Sequence, residues 1–499
     1  MNIFYHSITK IAMTTIRTLI DTNVIIALED DHILKKEFAD FHREAVKIGN
    51  LLIHPISKVD ISRDKNLERR KRTLSKLGKY EELEKPPEPD SIFLSKLKAL
   101  DNPRERVDAT ILYSVVKNAV DFFVTEDQGI HRKAFILGIQ ERVLTIKQGV
   151  VFFRRLLHRD VPTHILVKNI PVYNLQLNDR FFDSLRADYG EKEFNLWFEN
   201  ICREGRPCWA FIGDSSLFAL CIYKEEKIAD SKKIITPTLK LCTFKVSEAF
   251  AGKKIGELML KLAFQYADRN KLSSVYLTVF PKYQQFIAFL EDFGFSYVGK
   301  KGEEFILMKK MLPKADEQNN YDALEYAVKY YPNFLDDPQK RKFIVPIQPQ
   351  FHDRLFPDCP GTQKRIEDFV EPCPEGNTIK KAYICNAKTK QINKGDLLLF
   401  YRSRDWRAVT SIGVVEQAKH SDVASEIATF VSNRTVYTYE EIQQLASRTA
   451  LVIIFRHMGN LNRPVNAFTL AERCGVQGPI QSIRRIPYDI FKKIMEMGK

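Results

Sequence analysis

Four aspartates mark where this chain is equipped for chemistry. Asp21 closes the apolar run from Ile16 to Ile20, and Thr22 and Asn23 then open a second apolar segment, Val24 to Leu28, with helical spacing. Asp60 follows another apolar run, Leu51 to Ile56, with Asp64 close behind. Asp108 lies in DNPRERVDATILYSVVKNAV, where Asp101 or Asn102 caps a helix and Pro103 enters its first turn. Helical spacing puts Asp108 on the same face as Leu112, Val115 and Ala119, so it points toward the core. Asp127 ends the strand AVDFFVTED, just after Thr125 and Glu126. Acids at the carboxyl ends of parallel strands gather at one edge, where open α/β sheets place their sites. A single such aspartate is equally an N-cap; only the convergence of several favours a site. Two like charges about 4 Å apart repel by about 4 kcal/mol at an effective dielectric of about 20, so clustered carboxylates require protonation or a cation. Oxygen-only ligands select Mg²⁺ or Mn²⁺, and such an ion activates water for attack on a phosphodiester.

The elements that must position these groups come from a chain of 499 residues, enough at roughly 150 residues per domain for about three domains. Lys plus Arg number 77 against 63 Asp plus Glu, a formal charge of +14 that favours an anionic partner such as nucleic acid. The helix NLERRKRTLSKLGKYEELE concentrates that charge, with Arg69 and Arg70 near its start. It is either a solvated face or a grip on a nucleic-acid backbone beside the acidic edge. The eight cysteines are scattered singly with no CxxC pair, which excludes zinc ribbons and thioredoxin-type redox motifs and points to a reducing compartment. With no run of eighteen apolar residues and no signal-peptide core, the expected location is cytoplasmic, away from any membrane.

A second candidate site lies mid-chain. PCWAFIGDSSLFALCIYKEE reads as a hairpin with GDSS at its tip, and LKLCTFKVS as a strand. EAFAGKKIG then leads into ELMLKLAFQYADRNK, a helix with Met259, Leu262, Ala263 and Tyr266 on one stripe. Gly252 and Gly256 flank this strand-to-helix connection, where backbone N–H groups and the helix dipole accept an anion, and Lys253 and Lys254 add positive charge. A strand, SSVYLTVF, and a helix leading into LEDFGF follow.

The last stretch carries β-type runs in IKKAYICNA, GDLLLFYRS, AVTSIGVVE and TALVIIFRH, and closes on the amphipathic SIRRIPYDIFKKIME. Tyr401 and Trp406 have the chemistry to stack a base, and Arg402, Arg404 and Arg407 to hold phosphate. The alternative is that the aromatics are core and the arginines a solvated loop.

Three resemblances organise these readings. DTN after the first strand, the DISRD acid, the inward Asp of VDATIL and TED after FFV resemble a PIN domain, an α/β family of metal-dependent ribonucleases. The resemblance implies catalytic Asp21, Asp60, Asp108 and Asp127, with Asp21, Asp108 and Asp127 on the metal and Asn23 and Thr125 in support. The family often has glutamate at the second position, for which the choices here are Asp60 and Asp64. The middle segment resembles the GNAT acyltransferases, which implies that Phe244, Val246, Gly252, Lys254 and Gly256 bind acetyl-CoA. Ala251 and Lys254 stand where the family has Gln or Arg and its first motif glycine. Leu290 stands where it commonly has a tyrosine acid, and Tyr283 is the nearby substitute. The final runs resemble PUA-like barrels of the EVE and ASCH type, which implies RNA or modified-base binding, for which Tyr401, Arg402 and Trp406 are the candidates.

The expected architecture is therefore multidomain: an α/β PIN-like parallel sheet over 14–157, an α+β GNAT-like domain over 163–312, a linker over 313–339, and a PUA-like β-barrel over 340–497. The expected function is a metal-dependent RNase carrying an acetyl-CoA-binding N-acetyltransferase domain and a domain that binds RNA or another nucleic acid. The alternatives are an acetyltransferase delivered to RNA by catalytically weak partner domains, and a regulatory nucleic-acid-binding protein built from degenerate enzyme folds.

Overall fold

The computed structural model describes residues 15–27, 32–62, 67–100, 102–157, 166–213, 216–229, 235–247, 254–313, 321–359 and 377–499. The chain divides into two compact units, one of 1–159 with 421–433 and 437–450, the other of 160–420, 434–436 and 451–499.

The first unit is built on five parallel strands, β1 (Ile16–Ile20), β2 (Gly49–Ile53), β3 (Glu81–Glu82), β4 (Phe122–Val124) and β5 (Val143–Leu144), in the order β3-β2-β1-β4-β5. A parallel sheet covered by helices is buried on both faces, and accordingly Leu19, Ile20, Ile53, Phe122, Phe123 and Val124 are all buried. The second apolar run ends its strand at Ile53 rather than Ile56, because Pro55 opens the helix Pro55–Ser62 that contains Asp60. The helix Pro103–Val116 carries Asp108, and Asn102 caps it by accepting from the Glu105 N–H at 3.4 Å; Asp101, the other candidate cap, lies outside the described residues. Two helices from far along the chain, Ala424–Val431 and Tyr439–Ala446, belong to this unit as well. Between them Ser432 Oγ donates to the Glu141 carbonyl at 3.0 Å, and Arg155 Nη1 to that of Asn433 at 3.4 Å.

The second unit holds two sheets. Seven strands, β6 (Leu166–Pro171), β7 (Pro207–Gly213), β8 (Ser216–Ala229), β9 (Ile235–Val246), β10 (Ser274–Val279), β11 (Ser296–Lys301) and β12 (Glu304–Lys310), run in the order β11-β12-β10-β9-β8-β7-β6. The period of two in β7 serves both faces. Trp209 and Phe211 join the core with Met259, Ala263 and Phe264 of the helix Ile255–Arg269, while Cys208 and Ala210 join Phe194, Phe198 and Ile201 of the helix Glu191–Arg203.

The remaining strands are β13 (Lys342–Ile347), β14 (Lys380–Cys385), β15 (Leu397–Arg402), β16 (Ala408–Ser421), β17 (Ala450–Asn466) and β18 (Arg484–Ile486), ordered β14-β17-β16-β15-β13-β18. The expected barrel is instead an open mixed sheet among the described residues. Closure requires the two edge strands to pair, but β18 pairs with β13 and β14 with β17. Within the expected linker the described residues from 321 onward pack: the helix Ala323–Lys329 starts on an Asp322–Glu325 capping box, and Tyr326, Tyr330 and Tyr331 are buried. Lys309 Nζ fixes its end by donating to the Val328 and Lys329 carbonyls at 2.8 and 2.7 Å.

A chain of largely buried ions joins the two sheets of this unit. Glu257 accepts from the Lys380 backbone N–H at 2.7 Å, and Lys261 Nζ reaches Asp358 at 2.9 Å and Asn377 at 2.5 Å. Lys380 Nζ reaches Asp292 at 2.6 Å, and Arg456 pairs with Glu416 and donates to the Asp292 carbonyl at 2.8 Å. Removing one partner of a buried pair strands the other charge, at a cost of about 3 kcal/mol or more. Arg456→Ala is therefore expected to lower the unfolding free energy of the second unit by roughly 3 kcal/mol in urea denaturation, and Arg456→Lys by less.

Candidate functional site

The order of the parallel sheet reverses between β1 and β4, and ligand sites of open α/β sheets lie at such switch points. Asp21 leaves the end of β1 there, and Thr125 and Asp127 leave the end of β4. Thr125 Oγ1 donates to Asp21 Oδ2 at 2.5 Å and accepts from the Asp127 N–H at 3.0 Å. Asn23 stands exposed, its N–H donating to Asp21 Oδ1 at 3.3 Å. Asp21 is only 3% exposed, and burial, reinforced by the charges of Asp108 and Asp127, pushes its carboxyl from 3.8 up to about 6. Asp108 and Asp127 therefore lie within electrostatic reach of Asp21.

Among the described residues no three His, Cys, Asp or Glu side chains form a group able to hold a metal ion. The reasons are local. Lys133 Nζ sits 2.6 Å from Asp108 Oδ2 and 2.6 Å from Glu105, supplying the cation itself. Asp127 Oδ1 caps the helix Gln128–Ile136 by accepting from the Gly129 and Ile130 N–H groups at 2.6 and 3.2 Å. Burial still raises the Asp108 carboxyl, with Lys133 opposing the shift. The side chains of Asp60 and Arg69, and all of Asp64, lie outside the described residues. Arg70 donates to the Ser62 carbonyl at 3.2 Å.

The second site begins with an irregularity. β9 pairs parallel with β10 only through Thr238, Leu239 and Lys240, opposite Ser274, Val275 and Tyr276. On its other edge the register with β8 jumps from Leu241 opposite Tyr223 to Thr243 opposite Ile222, leaving Cys242 as an extra residue. Such a bulge bends and twists its strand, and β9 and β10 part just where it occurs. Residues 241–247 on one side and 277–280 on the other line a cleft of about 1270 Å³. Phe244 and Val246, expected to contact acetyl-CoA, are among the lining residues.

The helix Ile255–Arg269 starts beside this wall. Lys254 takes the left-handed conformation (φ 55°) that a glycine adopts without strain, and its side chain does not cap the first-turn N–H groups. A side chain at Gly256 would meet Phe289 at 3.5 Å and Phe244 at 3.9 Å, which places the first turn directly against the cleft wall. Ala251, Gly252 and Lys253 lie outside the described residues.

Two phenols that line the cleft face carboxylates. Tyr283 Oη donates to Asp188 Oδ2 at 2.5 Å, and Tyr189 Oη to Glu304 Oε1 at 2.6 Å. Burial first, and then the carboxylate partner, raises both phenols above their ordinary range, so both remain protonated at neutral pH. Leu290 is fully buried in the core and offers the cleft nothing. Spacing along the sequence does not reveal Asp188, Tyr189 and Glu304, which come together only in the fold.

The base-stacking residues expected in the last region divide. Tyr401 is 4% exposed and belongs to the core, so it cannot stack a base. Arg402 is matched by Asp353 and Asp405, the latter 2.7 Å away, and has no charge left over for phosphate. Its guanidinium lies 4.5 Å from the ring centre of Trp406, which remains partly exposed.

A family model described as the acetyltransferase (GNAT) family matches residues 173–295. Among solved structures, the chain is similar to the paia N-acetyltransferase of Thermoplasma acidophilum in complex with coenzyme A, at 18% identity over 29% of this chain and 98% of that one, TM-score 0.24. It is also similar to the IAA acetyltransferase of Bacillus cereus ATCC 14579, at 14% identity over 29% and 99%, TM-score 0.23. A mutant ASCH protein of Zymomonas mobilis is similar at 13% identity over 32% and 99%, TM-score 0.25. No curated protein matches the chain. No helix among the described residues is long and apolar enough to cross a membrane.

The Asp21 shift has a stability consequence. A folded-state pKa of about 6 against 3.8 means that the folded chain binds this proton more tightly than the unfolded chain. The contribution is fully present below pH 3.8 and lost as the pH rises through about 6, a swing of roughly 3 kcal/mol. Asp21→Asn should therefore raise the melting temperature of the first unit at alkaline pH, by an amount that shrinks as the pH falls toward 3.8; calorimetry of both proteins across that range measures it.

Proposed function

We propose that the second unit, which carries a GNAT acetyltransferase domain over residues 173–295, moves an acetyl group from acetyl-CoA to an amine. The observation that carries this reading is the parting of β9 and β10 at the Cys242 bulge. It frees the edge of β9 from Leu241 to Val246 to hydrogen-bond an extended amide-bearing chain, and it does so beside an uncapped helix start suited to phosphate. Acetyl-CoA, when bound, supplies the acetyl group as an activated thioester.

The residues of the chain then divide the work. Phe244 and Val246 give the cleft an apolar wall, and the Gly256 turn lets the helix backbone approach that wall. Tyr283, kept protonated beside Asp188, is the acid in the role that Leu290 cannot fill. The carboxylates of Asp188 and Glu304 are the groups available to take a proton from an incoming ammonium.

Two variants test the reading. Gly256→Glu brings a carboxylate to the helix start, where ordinary contact distances leave room for a side chain. Calorimetric titration is expected to show acetyl-CoA binding at least tenfold weaker, a loss of about 1.4 kcal/mol. Tyr283→Phe should lower kcat on the order of 100-fold with KM for acetyl-CoA little changed. Acetyl-CoA binding undiminished in Gly256→Glu would remove the cleft as the donor site.

A further inference from the structure

Lys240 is the last residue of β9 still paired with β10, opposite Tyr276, so it stands where the two strands part. It is half-buried and lines the cleft, while Leu239 and Leu241 on either side of it join the core. The groups proposed above for the donor, Phe244, Val246 and the Gly256 turn, all follow it in the chain. Val246 lies up to about 20 Å further along an extended strand. The apex around Lys240 is thereby left to the acceptor.

The charges at this apex are unbalanced. On its other edge Lys240 is paired with Lys224 of β8, and like charges directly opposite each other across a sheet are destabilising. Glu226 does not relieve both lysines: its Oε2 meets Lys224 Nζ at 2.8 Å, and its Oε1 accepts from the Tyr276 hydroxyl. Lys240 forms no ion pair among the described residues, and its Nζ lies 5.7 Å from the ring centre of Tyr276. Lys301 lines the same cleft. Burial first, and with it the like charges of Lys301 and Lys224, draws the Lys240 ammonium below its ordinary range, with Cys242 and Glu226 opposing. A half-buried ammonium beside two like charges and without a counter-ion is stabilised by an anion brought to it. The carboxylates of the cleft offer less to a second cation, since Asp188 is paired with Lys282 at 2.6 Å and Asp183 with Arg186 at 2.8 Å.

From this geometry we infer that the acceptor is an amine that also carries an anionic group, a carboxylate or a phosphate, seated on Lys240 with Lys224 and Lys301 beside it. The inference rests on the acetyl-transfer reading for the amine, and on the lysines of the apex alone for the anion.

The test uses the full chain, acetyl-CoA and matched amines, ethanolamine against phosphoethanolamine and β-alaninamide against β-alanine, followed by release of the CoA thiol. The anionic member of at least one pair should have the higher kcat/KM, by about tenfold, and the pair with the larger ratio identifies the anion. Lys240→Gln should lower that ratio about tenfold, and Lys240→Arg should retain most of it. Because Lys240→Gln removes a like-charge pair, it should also raise the melting temperature of the ligand-free protein. Inorganic phosphate, titrated with CoA present, should raise the melting temperature of the wild type and not that of Lys240→Gln. Equal kcat/KM within both pairs, or a preference for the uncharged members, would overturn the anion seat and leave acetyl transfer in place. Transfer to no amine would remove the acetyl-transfer reading, and the phosphate titration then decides the seat: stabilisation lost in Lys240→Gln keeps it, and stabilisation equal in both proteins overturns it. A ligand-free Lys240→Gln that melts lower than the wild type would make Lys240 a structural residue and overturn the seat as well.

Discussion

The cleft of the second unit depends on one extra residue in one strand. A parallel pair of strands holds evenly spaced hydrogen bonds for as long as both run straight. With Cys242 inserted opposite β8, β9 bends, and its ladder to β10 ends at Lys240. What opens is chemically specific, because an interrupted ladder exposes N–H and C=O groups that cost about 1–3 kcal/mol each when they are buried without a partner. Such an edge remains in a folded protein only where water or a ligand can reach it. The bulge therefore explains the volume of the cleft, and under the proposed function the open edge meets an extended chain with amides of its own.

A bent strand alone does not make a site; the helix beside it must also hold still. The helix Ile255–Arg269 is fixed by Glu257 on the Lys380 N–H and by Lys261 on Asp358 and Asn377. None of these three partners lines the cleft, so the first turn beside Phe244 is positioned by a part of the chain that offers the ligand nothing. Buried ions seldom add stability compared with well-packed apolar residues. Here they set direction: a charged pair buried between two elements tolerates few alternative registers, whereas leucines in the same place would tolerate many.

Much of this was legible in the sequence wherever local pattern determines structure. The strand ends at Asp21 and Thr125, the hairpin of β7 and β8, and the helix around Gly256 all follow from periodicity and turn chemistry. The failures share one physical cause: burial is decided by partners far away in the chain. Tyr401 and Trp406 look alike as aromatic residues in a basic loop, yet the strand pairing of β15 sends Tyr401 into the core. Arg402 reads as a phosphate ligand until Asp353, from a helix about fifty residues earlier, pairs with it. The bulge leaves no trace in composition, since Cys242 differs little from its neighbours. The segment 313–339 is polar enough to read as a linker, and only contacts such as Lys309 on the Val328 carbonyl show that its helix Ala323–Lys329 is packed.

The parallel-sheet unit shows the same separation of position from partner in a sharper form. Asp21 and Asp127 follow the ends of β1 and β4, but Lys133 already meets the charge of Asp108 on its helix, and a helix N-terminus already meets that of Asp127. Asp21 alone keeps a buried carboxyl whose stabilisers are two hydroxyls, from Thr125 and Thr22, and one distant N–H. A scaffold would gain by replacing it, because an isosteric amide accepts the Thr125 hydrogen bond without the desolvation of a charge. The packing of this unit therefore does not account for Asp21, although it does account for Asp108 and Asp127. What Lys133 changes is the charge around Asp108: an ammonium of the protein itself sits 2.6 Å from that carboxylate and opposes the rise that burial gives it.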